Sequence, residues 1–461
     1  MNKRIDSIDV LRGITIVMMV LCSTISWDAN LPAWMFHCQV PPPDYVFNPD
    51  IKGITWVDLV FPFFIFSMGA SMPFSLGRKL EKGVSTSKVS LGIVKRWATL
   101  ALFGLVLGNS YLIFSHSEPY KMLLNFGIWT GLFLALWRVP SGKSKLPVTN
   151  ILGVVIVVVG LILEKVLFDV SLSVHNVDII IMVLSCLALT GGFIWLLTRE
   201  KLWIRGVILL IFCILKEVTW HSDFFSALAL PQAISWLIDW NYLQYLVITI
   251  IGMSVGDILA AATKREESLC TSPNKFSAIA GALICLATIP VMLYDFYTRS
   301  IWEACNFSIG FAITYVVLSY FFNGPAARIG RAGFILLVLG IFFDPIDGGI
   351  SKDFCNLSYM LSTGGLACLL TSFLLWLESL LASKGKRMVG PFALTGQNPM
   401  IAYTASNYVI TPIYYLTTLG ALYDGIAVGN PALGLLRGII LTTLTVVFTA
   451  LFSKFKMYWR S

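Results

Sequence analysis

Charged residues are scarce in this sequence. Lysine, arginine, aspartate and glutamate together make up 13% of the 461 residues, whereas hydrophobic residues make up 57%. Soluble domains usually carry about 25% charged residues, so about half of the usual charge is missing. This composition argues against a set of ordinary soluble domains and favours a chain that lies largely in a lipid bilayer.

Several motifs of metal and catalytic sites are also missing. The nine cysteines form no CxxC pair, so the sequence predicts neither a zinc site nor a redox pair. HExxH, Walker A, GxSxG and GxGxxG patterns are absent as well. We therefore expect no metal cofactor, and the chemistry has to come from residues outside these patterns.

Long apolar runs are what the chain contains instead. Fourteen candidate runs can be marked, and the weakest are 331–343, which is short, and 393–417, which polar residues and Pro399 interrupt. Runs of about 17–25 residues fit spanning helices better than the short alternating strands of a barrel. The sequence predicts an all-α, polytopic transmembrane helical bundle of about 11–14 spans. We expect one domain over 1–461, with a motif-bearing part at 1–137 and further helices at 138–461.

The positive charges predict the orientation of the bundle. If the N-terminus lies inside, most of the 33 lysines and arginines fall in inner loops, as at Arg78-Lys79 and Lys264-Arg265. A few fall outside, among them Lys52 and Lys352. Both termini are then expected in the cytoplasm. This distribution accounts for the net charge of +8 without nucleic acid, so we expect the bilayer as a partner and no nucleic acid, with a homodimer as the candidate assembly.

A first cluster of charged residues lies at the inner end of the first predicted span. Arg4, Asp9 and Arg12 occur in the segment RIDSIDVLRG, and Asp9 and Arg12 share a helical face because they are three residues apart. Ionisable residues at membrane depth are costly and are usually paired or functional. The group is therefore either an ion pair that anchors the helix or a cationic site for an anionic ligand from the cytoplasm.

A second constellation opens the second span from outside. Asp58 lies about one turn into an apolar helix, and Pro62 follows it. The carboxylate either pairs with Lys52 or caps the helix, or it serves a site that binds or deprotonates a substrate. His37 is a candidate general base, because it lies in the long external loop that leads to Asp58.

A third constellation is the late segment TGQNPMIAY. Gln397 and Asn398 stand beside Pro399 near the inner end of a late run. Amides at this depth either hold helices together or bind a ligand. The sequence leaves both interpretations open.

Two of these segments resemble a known family. RIDSIDVLRG at 4–13 and GITWVDLVFPFFIFSMGAS at 53–71 are similar to paired motifs of the heparan-α-glucosaminide N-acetyltransferase family and its bacterial relatives. These motifs read R-x-x-S-x-D-x-x-R-G and G-x-T-x-x-D-L-V-F-P-x-F-x-F-x-M-G. The resemblance is strong over 4–80, weaker at the segment that begins with Arg96, and faint at 396–403.

The resemblance implies about eleven spans and an acetyl transfer across the membrane, from cytoplasmic acetyl-CoA to the amine of an external glucosamine. In the family a histidine precedes the second motif, but Asn48 occupies the matching position here, and Cys22 or Ser23 stands where an asparagine is expected. Either His37 supplies the imidazole, or Asp58 acts alone, or the chemistry has changed.

We therefore expect a membrane-bound acyltransferase of the bacterial inner membrane that uses acetyl-CoA as co-substrate and acts on an amino sugar or glycan. The alternatives are a secondary transporter of a small solute and a catalytically inactive, glycan-binding relative. Thr55, Trp56 and Asn48 are candidates for the donor that stabilises the oxyanion. The candidate catalytic residues are His37, Asp58 and Asn48, and the candidate cofactor-binding residues are Arg12, Asp9, Arg4, Gln397 and Asn398.

Overall fold

The computed structural model shows a bundle of α-helices, as the apolar runs predict. It describes residues 6–25, 30–113, 118–137, 148–220, 232–272, 275–319, 323–426 and 429–459. These residues contain no β-strand apart from two isolated bridges. In these ranges eleven helices are long and apolar enough to span a membrane. The chain is thus an all-helical, multi-pass membrane protein.

We number the helices in chain order. They are α1 (Asp6–Thr24), α2 (Val60–Glu81), α3 (Thr86–Tyr111), α4 (Pro119–Leu136), α5 (Val148–Phe168), α6 (Ile179–Thr198), α7 (Leu202–Trp220), α8 (Leu246–Lys264), α9 (Lys275–Thr298), α10 (Ile301–Ser319), α11 (Pro325–Phe343), α12 (Leu357–Gly396), α13 (Pro399–Ala405), α14 (Thr411–Tyr415), α15 (Leu419–Gly425) and α16 (Pro431–Lys454). The inner end of the bundle is the one at which α1 begins and α2 ends, and the opposite end is the outer end.

The structure refines the fourteen predicted runs. The short run 331–343 belongs to a complete spanning helix, because α11 starts earlier, at Pro325. The run 393–417 is not one helix: α12 ends at Gly396, α13 begins at Pro399, and a π-helical turn over Ser406–Ile410 separates α13 from α14. Helices α4 and α7 form at two further runs but are not among the eleven spanning candidates.

Helix α12 lies at the centre of the bundle, and its first 25 residues, Leu357–Leu381, are almost entirely buried. It packs against α1, α2, α8, α9, α11 and α16. Gly13 and Gly396 let α1 approach α12 closely, since a Cβ atom on Gly396 would lie 1.9 Å from the Asp9 carbonyl oxygen. The N-terminal motif on α1 therefore packs against the C-terminal end of α12.

Candidate functional site

Asp58 is fixed at the outer end of α2 by a short turn that precedes the helix. Thr55 caps the 3-10 helix Trp56–Leu59: its hydroxyl accepts the Val57 N–H, and its own N–H donates to Asp58 Oδ2 at 2.8 Å. The Tyr359 hydroxyl donates to the Asp58 backbone carbonyl at 2.7 Å. The Asp58 side chain is fully buried. A buried carboxylate held by several donors keeps a fixed position, as a catalytic or binding group requires.

His37 reaches Asp58 from the loop between α1 and α2. Its Nδ1 atom lies 2.8 Å from Asp58 Oδ1, and 38% of the His37 side chain is exposed. If Nδ1–H donates to the carboxylate, the unprotonated Nε2 remains as an acceptor. The pair therefore has the arrangement of an oriented general base.

Lys352 is the third member of this outer site. Its Nζ atom lies 3.0 Å from His37 Nδ1, 3.5 Å from His37 Nε2 and 3.7 Å from Asp58 Oδ1. The sequence analysis placed Lys352 among the external cations but did not assign it to a site. The available signal was its place in the chain, since most lysines and arginines are predicted in inner loops and Lys352 is not. An ammonium group beside the imidazole gives the site a donor for a substrate oxygen.

The segment 344–356, which connects α11 to α12, is anchored at both of its ends. Asp344 accepts two hydrogen bonds from Arg299, at 2.9 and 2.8 Å. Asn356 caps α12 by accepting the Tyr359 N–H at 3.1 Å. Lys352 therefore projects from a braced segment and not from a free loop.

Asn48 lies in the same loop between α1 and α2 but is exposed to solvent. Its Oδ1 atom accepts the Asp50 N–H at 3.0 Å, and its backbone N–H donates to the Gln39 carbonyl at 2.8 Å. The side chain shapes the turn that leads to the second motif. Its assignment as a catalytic residue stays a prediction.

Arg12 lies at the inner half of the bundle, between α1, α2 and the end of α12. Its guanidinium donates to the Gly396 carbonyl at 3.2 Å and to the Ser67 carbonyl at 3.1 Å, and it also contacts the Ser71 hydroxyl. Asp9 Oδ1 lies 3.6 Å from Nη1. Protein groups accept these hydrogen bonds. Arg12 therefore joins α1 to α2 and α12, and it adds a positive charge to this region.

Arg96 on α3 brings a second positive charge to this region. It lies close enough to Arg12 for the two charges to interact, and its side chain is exposed. Two neighbouring cations attract an anion more strongly than either one does alone. The sequence analysis noted Arg96 in the weaker resemblance but did not predict its approach to Arg12.

Gln397 and Asn398 hold the C-terminal segment against α13. Asn398 Nδ2 donates to the Met457 carbonyl at 2.7 Å, and Asn398 Oδ1 accepts the Trp459 N–H at 3.0 Å. The Tyr458 hydroxyl donates to Gln397 Oε1 at 3.4 Å. The Asn398 amide is thus used in packing, while its assignment as a ligand-binding residue stays a prediction, as does that of Gln397. Arg4 lies outside the described residues.

A cavity of about 650 Å³ opens at the inner end between α2, α6 and α8. Phe74, Trp195 and Arg78 are among its lining residues. Its size falls within the range of about 300–1,000 Å³ that is typical of small-molecule sites. Among the described residues, no group of three or more His, Cys, Asp or Glu side chains converges to hold a metal ion.

Comparisons with known proteins found two similar relatives and one family model. The chain is 30% identical over 107 residues to heparan-alpha-glucosaminide N-acetyltransferase of Mus musculus and 29% identical over 106 residues to that of Homo sapiens. Each match covers 23% of this chain and 14% of the relative, so the chain is matched to a small part of these proteins. Residues 4–259 match the profile of a family described as a domain of unknown function, DUF5009. This match covers more than half of the chain, which therefore belongs to the DUF5009 family.

Proposed function

We propose that this protein is a transmembrane acyltransferase that moves an acetyl group from acetyl-CoA at the inner end to the amine of an amino sugar or glycan at the outer end. The observation that carries the proposal is the convergence of His37, Asp58 and Lys352 at one end of the bundle. Cationic residues and a ligand-sized cavity stand at the other end. Similarity to the two N-acetyltransferases supports the reaction class.

The reaction follows from the outer geometry. His37 Nε2 removes a proton from the acceptor amine as the nitrogen attacks the thioester carbonyl carbon. Asp58 holds the imidazole by its contact with Nδ1. Negative charge develops on the carbonyl oxygen, and Lys352 stabilises it. The C–S bond then breaks, the CoA thiolate takes up a proton, and the acetamide leaves.

The inner end binds CoA, which carries the acetyl group. Arg96 and Arg12 provide charge for the phosphates of CoA, and the cavity beside Arg78 and Trp195 accommodates its nucleotide. On α1, Arg12 lies ten residues before Cys22. Cys22 in turn lies close enough to Lys352 and Asp58 to interact with their charges. The acyl arm therefore has to extend about 15 Å through the bundle.

A test uses the purified protein in detergent with acetyl-CoA and glucosamine, and follows the release of free thiol. Wild type is expected to release thiol only when the amine is present, and Asp58→Asn is expected to abolish release. Asp44→Asn is the matched control, since it removes an exposed carboxylate of the loop that also carries His37. Binding of acetyl-CoA by wild type without turnover would instead favour an inactive, glycan-binding relative.

Secondary transport is a second candidate, favoured by the break between α12 and α13 and by the π-helical turn that follows. Transporter sites are often formed where spanning helices are discontinuous. Solute uptake by reconstituted vesicles, in the absence of thiol release, would favour transport over acyl transfer.

A further inference from the structure

A buried polar cluster lies at the outer ends of α3, α4 and α5, outside the residues discussed so far. Its members are Glu164 on α5, Asn125 on α4 and Ser110 on α3, and each is at most 1% exposed. An ionisable residue at this depth is costly and usually marks a function. We therefore asked which ligand the cluster fits.

The packing of α4 on α5 brings Asn125 and Glu164 to the same level. A Cβ atom on Gly160 would lie 2.4 Å from Ile128 Cγ1, so these two residues face each other. Asn125 is three residues before Ile128, and Glu164 is four residues after Gly160. Because the two helices are antiparallel, these steps carry both side chains toward the outer end on the contacting faces.

The α3 helix and the π-helical turn also contribute residues at that level. Ser110 lies close enough to Glu164 to interact with its carboxyl group, and its hydroxyl donates to the Val106 carbonyl at 2.9 Å. Tyr408, in the π-helical turn, donates its hydroxyl to the Leu107 carbonyl at 3.1 Å. Four chain segments thus surround the carboxyl group of Glu164.

Three polar side-chain atoms of this cluster lack a partner within the described part of the protein. Among the described residues, Glu164 Oε1 and both side-chain polar atoms of Asn125 have no hydrogen-bond partner. No lysine or arginine in those ranges forms an ion pair with Glu164. A buried carboxylate without a counter-charge costs several kcal/mol, so the site requires a positive charge from elsewhere.

Within the part of the chain that the structure describes, the charged and titratable groups around the cluster do not supply it. Lys121, one turn outward on α4, pairs with Glu118 at 3.0 Å and lies over the Phe168 ring. Tyr111 and Asp178 are the other titratable groups near Tyr408, and neither provides a positive charge.

We propose that Glu164, Asn125 and Ser110 form a binding site for one monovalent cation, either Na⁺ or a proton. The carboxylate, amide and hydroxyl oxygens are hard donors of the kind that alkali ions take. A single carboxylate balances a single positive charge, so its charge matches a monovalent ion and would leave one charge of a divalent ion unbalanced. The adjacent π-helical turn also interrupts the regular helical hydrogen bonding, as happens where helices contribute carbonyl oxygens to Na⁺.

The site is connected to the rest of the bundle through the π-helical turn. This turn continues α13, and α13 packs against α1, which carries Arg12. Trp129 on α4 donates to Thr404 Oγ1 of α13 at 2.7 Å. A cation that draws α3, α4 and α5 together would therefore brace the helix that leads to the inner site.

The test measures equilibrium binding of radioactive Na⁺ to the purified full-length protein in detergent at alkaline pH. Wild type is expected to bind a single Na⁺, Glu164→Gln to bind none, and Asn125→Ala or Ser110→Ala to bind more weakly. Asp169→Asn is the matched control, because it neutralises an exposed acid just beyond the end of the same helix. Monodisperse elution in size-exclusion chromatography verifies that each variant is folded.

The proton is distinguished by infrared difference spectra recorded across a pH titration. If no Na⁺ binds, a band of a protonated buried carboxyl group should be present in wild type and missing in Glu164→Gln. The proposal is overturned if wild type neither binds Na⁺ nor shows this band, or if Glu164→Gln binds Na⁺ as wild type does.

Discussion

His37 Nδ1 and Asp58 Oδ1 lie 2.8 Å apart, although 21 residues separate them in the chain. The loop between them returns on itself, since the Asn48 N–H donates to the Gln39 carbonyl and the Gly53 N–H donates to the Ile350 carbonyl. The histidine thus reaches the carboxylate from a position well before the one that the family motif predicts. The imidazole is therefore present at the outer site even though position 48 holds asparagine.

His37→Ala is expected to lower kcat for thiol release by about 10³-fold, because it removes the proposed base. His175→Ala is the control, since His175 is an exposed histidine that also lies outside the spanning helices. Steady-state rates with acetyl-CoA and glucosamine provide the measurement. Wild-type turnover in the His37 variant would remove this residue from the mechanism.

Lys352→Met is expected to lower kcat by about 10²–10³-fold while the KM for acetyl-CoA changes little, because the ammonium acts on the developing oxyanion. Lys352→Arg should retain part of the activity. Lys52→Met is the matched control, because Lys52 lies over the Phe354 ring on the same face. A change in KM alone would instead assign Lys352 to substrate binding.

Arg96→Gln is expected to raise the KM for acetyl-CoA by about tenfold or more, since one charge-assisted contact to phosphate is lost. Its exposed neighbour Lys95 provides the control Lys95→Gln. Arg12→Gln should in addition lower the Tm, because Arg12 joins α1 to α2 and to the end of α12. An unchanged KM in Arg96→Gln would place the phosphates elsewhere.

Asn398→Ala is expected to lower the free energy of unfolding by about 2–4 kcal/mol, because two backbone groups of the C-terminal segment lose their partners. Thermal unfolding of the detergent-solubilised protein measures the loss. If Asn398 has only this packing role, the KM for acetyl-CoA stays unchanged. A raised KM with an unchanged Tm would show that the amide binds the carrier.

Asp347 predicts a pH dependence of stability. Burial, together with the nearby Glu217 carboxylate, raises the pKa of Asp347 above its ordinary value of 3.8. Between the ordinary pKa, which applies to the unfolded chain, and the raised pKa of folded Asp347, the folded protein retains a proton that the unfolded chain has released. The free energy of unfolding therefore falls as the pH rises through this window. In Asp347→Asn this dependence should be lost. Tm values measured from about pH 4 to about pH 8 test it, and equal slopes in both proteins would contradict it.

The helical architecture could be predicted from the sequence because it follows from local properties. Apolar runs long enough to cross a bilayer must form helices, since hydrocarbon offers the backbone no other partners. The run 331–343 was nevertheless undervalued, because the polar residues at the start of α11 mask its true length. The break within 393–417 was visible from Gly396 and Pro399.

The candidate site was only partly predictable. Asp58 and His37 could be proposed because each stands out from its own surroundings in the chain. Lys352 could not be assigned, since it is separated by 315 residues from His37 and no local pattern connects them. The cluster of Glu164 and Asn125 also depends on the register of α4 against α5, which local periodicity does not specify.

The sequence by itself determined that the chain forms membrane helices, where its polar motifs stand along them, and which orientation its charges predict. Only the tertiary structure decided that His37 meets Asp58, that Lys352 joins them, and that Glu164 and Asn125 are buried at one level of the bundle. The reason is physical: hydrophobicity and charge act on each segment through its local environment, whereas a site depends on packing between segments that are far apart in the chain.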